Sequence, residues 1–370
     1  MQPNLCHKVG LGALTLLLAA CGATTPAPAT TLAAQGIAAP SGKYVMAEAS
    51  GRIGAWASGR IGAWASSARA STVVDGQVNT FQDDLPMWSQ IHLAEAQLAA
   101  PELGAGVKVA VIDTGIDLTH PAFQGHLVPG AEMHDFVDND AVPQEEGSAS
   151  DLAYGHGTAT ASLILQVAPN ATILPVRVLS PGGTALPSTV AAGVDWAVKQ
   201  GATVINLSVV SHHDSSLSAA LKNAADRGVY IVMAAGNEGT DPPMYPAKFA
   251  QQGNGLGGHS LSVGSIDLDN VRSDFSNYGA QLKVLAPGRL LTVAFPDNRV
   301  AQATGTSFAT PVVAGVLALG AGRHIGSAVS LTEILKDSET NVDAYNTAHS
   351  GGGPLPYGLL NAQSFVNSVH

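Results

Sequence analysis

Two cysteines, Cys6 and Cys21, are all that the 370 residues contain, so a disulfide-stapled scaffold is excluded as the source of stability. Aromatic residues are scarce at 5%, and charged residues make up only 12%. No run of lysine or arginine occurs, and a net charge of -11 argues against the basic stripe that nucleic-acid binding uses; nucleic acid is not an expected partner. What the chain does have is 46% hydrophobic residues over a length that suits one large α/β domain or two ordinary ones. Such a chain can bury a substantial core.

The first 21 residues carry one lysine, Lys8, followed by the apolar run VGLGALTLLLAA. That run predicts an export segment and is too short for a permanent membrane span. Its end, LAAC at 18–21, resembles the bacterial lipoprotein signal, in which the cysteine becomes the lipidated first residue. The resemblance implies membrane attachment through Cys21; an ordinary cleaved signal peptide is the alternative. Residues 22–42 are rich in Ala, Thr and Pro without charge, which predicts a flexible tether. An octapeptide, SGRIGAWA, then occurs twice in tandem at 50–57 and 58–65. Two copies are too few for a solenoid, and they read either as a short recognition or propeptide element or as a duplication within a linker. The expected organisation is a signal peptide over 1–21, a tether with a short propeptide over 22–84, and one domain over 85–370.

Beyond residue 84 short β-branched runs alternate with amphipathic stretches. VKVAVI at 107–112 is nearly continuous in apolar residues, the pattern of a strand buried on both faces. The segments at 171–179, 202–210, 228–235 and 259–266 read the same way. Between them Val190, Val194 and Ala197 share one helical face, as do Leu217, Leu221 and Ala224, and each helix is followed by glycine. This alternation predicts an α/β fold, a mainly parallel sheet with helices on both faces, whose ligands bind beyond the carboxyl ends of the strands.

Candidate chemistry sits at those ends. Asp113 follows VKVAVI, Asn237 follows VYIVMAAG, and His156 lies between two glycines at the start of a small-residue helix. Ser307 opens the apolar run TSFATPVVAGVLAL after Gly305, with Pro311 expected in the first helical turn, where a missing N–H is cheap. A serine hydroxyl becomes a nucleophile when a base takes its proton and a carboxylate holds that base in one tautomer. Ser307, His156 and Asp113 are those three types.

The motifs VAVIDTGID, GHGT and GTSFATPVVAG, in that order, identify the chain from about residue 85 onward as resembling the subtilisin-like serine proteases. The resemblance implies catalytic roles for Asp113, His156 and Ser307, and an oxyanion donor in Asn237 of AAGNEG. It implies protein or peptide substrates and no organic cofactor. Ser208, Val209, Val210, Gly236 and Met244 fall where the family lines its substrate cleft. Val210 and Ser211 replace two glycines there, and Met244 falls at the floor of the primary pocket, so a narrowed cleft and a preference for small or medium apolar side chains are expected.

Ala159 and Ser162 replace a histidine and a glycine of the family pattern. The loop that in the family binds calcium tightly is missing after the helix of His156; weaker calcium sites stay open, and no metal-ligand set is assigned. The six acids of 135–151 lack the spacing of a calcium loop and read as a solvated surface loop. His212, His213 and Asp214 read as a surface turn. The rival to an enzyme is a catalytically silent binding module on the same scaffold, or an esterase using the same serine.

Overall fold

The structure is a computed structural model; it describes residues 82–211, 217–250, 256–323, 331–346 and 357–369, plus three short upstream strands, all within the unit that begins at Thr31. In chain order the strands are β1 (Ala47–Glu48), β2 (Ile61–Gly62), β3 (Ser67–Ser71), β4 (Lys108–Asp113), β5 (His134–Asp135), β6 (Thr172–Arg177), β7 (Thr184–Ala185), β8 (Val204–Leu207), β9 (Tyr230–Ala234), β10 (Ser260–Ile266), β11 (Val284–Pro287), β12 (Leu291–Phe295) and β13 (Arg299–Thr304). The helices are α1 (Leu85–Gln90), α2 (Leu93–Ala99), α3 (His156–Val167), α4 (Pro187–Lys199), α5 (Leu217–Asp226), α6 (Thr306–Ala321), α7 (Leu331–Asp337), α8 (Asp343–Asn346) and α9 (Ala362–Ser368). Among them no helix is long and apolar enough to cross a membrane.

Seven strands form the central sheet in the order β11-β10-β9-β8-β4-β6-β5, and every pairing within it is parallel. The period-2 alternation of side chains divides each central strand between two cores. Val109 and Val111 of β4, with Tyr230 and Val232 of β9, face one core together with α3 and α6. Ala110 and Ile112, with Ile231 and Met233, face the other core under α4 and α5. Each buried Val, Leu or Ile contributes about 1.5–3 kcal/mol relative to exposure, which explains why these strands are apolar on both faces. The expected faces of α4 and α5 are the buried ones.

Several elements went unread in the sequence. The hairpin of β12 and β13 is antiparallel, and its turn at Pro296–Asn298 places Asp297 and Asn298 at φ of 65° and 56°, conformations that Asp and Asn tolerate better than most residues. β3 adds to the free edge of β13, and β2 pairs antiparallel with β7. The second octapeptide copy thus contributes a strand, Ile61–Gly62, rather than passing the domain by.

Candidate active site

β4 delivers Asp113 at its carboxyl end, where the Thr114 N–H donates to its Oδ1 (2.8 Å). The same oxygen lies 2.7 Å from His156 Nδ1, and both side chains are 1% exposed. A carboxylate only accepts, so Nδ1 carries the hydrogen and Nε2 is left as the basic nitrogen. Nε2 is buried and has no hydrogen-bond partner. The approach of α3 to β4 depends on Gly157: a Cβ there would lie 2.0 Å from the Gly115 carbonyl oxygen, whereas the bare backbone lets its N–H donate to Thr114 Oγ1 (2.9 Å). Ser162, where a glycine was expected, donates to the Ala159 carbonyl and accepts from the Ala294 N–H of β12, so the added hydroxyl is fully used. α3 ends at Val167 and β6 begins at Thr172, which confirms that no long loop separates them.

Ser307 is the second residue of α6, a helix whose residues from Thr306 to Gly320 are all buried. Its Oγ–H donates to the Ser208 carbonyl (3.3 Å), and the ring of the next residue, Phe308, lies 5.3 Å from the His156 imidazole, centroid to centroid. The two helix starts therefore adjoin, and a turn of the Ser307 side chain away from Ser208 redirects the hydroxyl.

The expected position of Pro311 needs correction: it is the sixth residue of α6, past the unpaired N–H groups of the first turn. A proline there removes the bond to the carbonyl four residues back, which is that of Ser307 itself. The Ser208 hydroxyl takes its place, donating to Ser307 O at 2.7 Å.

Asn237 follows β9. Its Oδ1 accepts from both the N–H and the hydroxyl of Thr306 (2.8 and 2.9 Å), which fixes the amide with Oδ1 turned toward the start of α6 and leaves Nδ2 as its donor. Thr306 Oγ1 in turn accepts from the Gly236 N–H (3.1 Å). Gly236 sits at φ 106°, and a Cβ would lie 2.4 Å from Asn277 Nδ2, so only glycine fits. Thr306 is a supporting residue that the sequence reading missed; the signal was its place between Gly305 and Ser307.

Near Ser307, Ser208 and Ser211 are buried, and Ser211 and Tyr245 exchange two backbone hydrogen bonds (2.7 and 3.0 Å). That pairing carries Val210 and Met244 together, and with Ala234 they form a small apolar cluster separate from both cores. The Val209 side chain faces away, into the core under α4 and α5. A cavity of about 240 Å³ adjoins Met244, with Glu238, Asp241 and Lys248 in its lining.

The acidic loop is exposed over most of its length, as expected of a solvated surface loop, and among its acids Asp135 and Glu145 are the buried exceptions. Arg177, 1% exposed, donates to Asp135 (2.7 Å), Asp138 and Glu146 (3.0 Å). Among the described residues, no group of three or more His, Cys, Asp or Glu is arranged to hold a metal ion. Cys21, His212, His213 and Asp214 lie outside the described residues.

A basic imidazole nitrogen held by a buried carboxylate, beside a serine at a helix start on the carboxyl edge of a parallel sheet, is equipment for acyl transfer and places the molecule among serine hydrolases of α/β architecture. Comparison with known proteins narrows this class. The profile of the Subtilase family (Peptidase S8) matches residues 104–350. The chain is 35% identical over 278 residues to Thermitase from Thermoactinomyces vulgaris, covering 70% of this chain and 93% of that protein. It is 37% identical over 272 residues to Subtilisin Savinase from Lederbergia lenta, covering 70% and 91%. The crystal structure of a cold adapted subtilisin-like serine proteinase superposes with a TM-score of 0.54 at 35% identity, covering 64% of this chain and 84% of that one. The chain belongs to the subtilase family of serine-type endopeptidases, which are hydrolases, and it has the subtilisin-like fold.

Proposed function

We propose that this protein is an exported endopeptidase that cuts protein or peptide substrates through Asp113, His156 and Ser307. The observation that carries this reading is the 2.7 Å contact between His156 Nδ1 and Asp113 Oδ1 in a fully enclosed setting, with Nε2 left as the base. Ser307 Oγ attacks the scissile carbonyl as its proton passes to Nε2; Asp113 holds the imidazolium; Nε2 returns the proton to the leaving amine. Asn237 Nδ2 and the Ser307 backbone N–H receive the oxyanion, the former worth about 3 kcal/mol in subtilisin, the source of that figure. Water then hydrolyses the acyl-enzyme. Labelling of the wild type by a fluorophosphonate, abolished in Ser307→Ala, tests the assignment. A folded protein that does not label would favour a silent binding module, and turnover of esters without amides would favour an esterase.

The cluster of Val210, Met244 and Ala234 supports a shallow primary pocket and cleavage after small or medium apolar residues. Export and attachment to the cell envelope through a lipidated Cys21 follow from the N-terminal sequence and are tested by mass spectrometry of the mature N-terminus. The propeptide reading of the segment before residue 85 gains support from β2 on β7 and from β3 on β13, the strand that runs into Gly305, Thr306 and Ser307. Added strands on these edges compete with any extended substrate that would pair there, so the segment has to leave before such a substrate binds.

A further inference from the structure

Glu145 is 5% exposed, although it lies in the acidic loop. Backbone bonds place it there: the Ile116 N–H donates to the Pro143 carbonyl (3.0 Å) and the Glu145 N–H to the Ile116 carbonyl (2.9 Å), which ties the loop to the segment leaving β4. Glu145 Oε2 accepts from the Thr158 hydroxyl (3.0 Å) and the Thr158 N–H (3.3 Å), both in the first turn of α3. Oε1 is buried without a hydrogen-bond partner. The carboxyl therefore joins the turn that carries His156 to the chain just beyond Asp113. Thr114 completes the link, giving its N–H to Asp113 and taking that of Gly157.

From these contacts we infer that Glu145 is a positioning residue for the proton relay, a role that rests on the assignment of Asp113, His156 and Ser307 above. Its carboxylate holds the first turn of α3 against the end of β4, and once ionised it adds negative charge near Asp113, the carboxylate that holds His156. Both effects favour the imidazolium formed as Ser307 loses its proton. The titratable groups that interact with it are Asp113 at the end of β4 and Tyr154 just before α3, while the neighbouring Glu146 is occupied by Arg177 of β6. Burial pushes the carboxyl up to about 7, with the charge of Asp113 adding to the rise and the dipoles of Thr114, Gly155 and Thr158 opposing it. Ionisation thus falls within the range over which catalysis is measured.

The test compares wild type, Glu145→Gln and Glu145→Ala for kcat and KM on a peptide substrate from pH 5 to 10, well below each variant's Tm, after counting active sites with a fluorophosphonate. Glu145→Gln keeps an oxygen for Thr158 and has nearly the same shape. It is expected to approach wild-type kcat at pH 5 to 6 and to lose about three- to tenfold of the rise in kcat above pH 7. Glu145→Ala is expected to lose kcat at all pH values, on the order of tenfold or more, with KM within about twofold of wild type. A Glu145→Gln profile that superimposes on wild type, or a Glu145→Ala that keeps full kcat, overturns the inference. A wild type that fails to label overturns the underlying triad assignment instead, so the two failures are distinct.

Discussion

The hydroxyl of Ser208 donates to the backbone carbonyl of Ser307 at 2.7 Å, while the Ser307 hydroxyl donates back to the Ser208 carbonyl at 3.3 Å. Pro311 makes the first of these bonds necessary, because it removes the helical donor that Ser307 O would otherwise have. Asn206 Nδ2 donates to Ser208 Oγ (3.0 Å) and fixes its rotamer. The carboxyl end of β8 is therefore bolted to Ser307, the nucleophile proposed above.

Ser208→Ala removes the buried hydrogen bond from the Ser208 hydroxyl to the Ser307 carbonyl, at a cost of about 1–2 kcal/mol, and loosens the first turn of α6. A fall in kcat of about tenfold with KM little changed is expected, because a loss of about 1.4 kcal/mol in the barrier corresponds to that factor. Steady-state kinetics on a peptide substrate check it; unchanged kcat would show that the helix start is held by other contacts.

Thr306→Val removes the hydroxyl that anchors Asn237 Oδ1 and receives the Gly236 N–H. The side-chain amide then loses one of two restraints on its orientation. Since the donor matters only when the oxyanion forms, the expected loss of about tenfold lies in kcat. Combining it with Asn237→Ala should add little, because both changes act on one interaction.

Met244→Gly with Val210→Gly removes two of the three side chains of the small cluster. The enlarged pocket should accept aromatic side chains, and cleavage after Phe or Tyr relative to Ala is expected to rise by at least about tenfold. Cleavage-site mapping on a peptide library reads the change directly. Wild-type cleavage mainly after Phe, Tyr, Arg or Lys would refute the shallow-pocket reading.

Glu339 is half-buried; one oxygen accepts the Gly358 N–H at 2.6 Å, and the other is enclosed with no hydrogen-bond partner. Burial raises its pKa to about 9. The folded state thus binds this proton more tightly than the unfolded chain does, so its contribution to stability declines as pH rises from about 4.5 to 9. Asp84 and Glu145, each raised to about 7, act with the same sign over a lower range. Glu339→Gln should stabilise by on the order of 2 kcal/mol at pH 9 and by almost nothing near pH 4, as measured by thermal melts.

Much of this protein was legible in the order of its residues. β6, β8, β9 and β10 fall within the apolar runs read as strands, and β4 overruns its own only by Asp113, because a strand buried on both faces has to be apolar at nearly every position. Asp113, His156, Ser307 and Asn237 stood out through the motifs VAVIDTGID, GHGT, AAGNEG and GTSFATPVVAG taken together, since a polar residue at a strand end is by itself weak evidence. The hairpin of β12 and β13 was harder to see, since its pairing partners are chosen by contacts along its edges.

Sequence alone determined the fold class, the two-faced core and the residue types of the relay, since periodicity and motif are properties of neighbours along the chain. Tertiary structure decided what those residues touch: Pro311 answered by Ser208, Asn237 fixed by Thr306, Arg177 paired with Asp135, Asp138 and Glu146, and Glu145 drawn beneath α3. The physical reason is that burial and hydrogen-bond satisfaction depend on groups distant in sequence, and a carboxylate carries the same letter whether water or a threonine hydroxyl faces it.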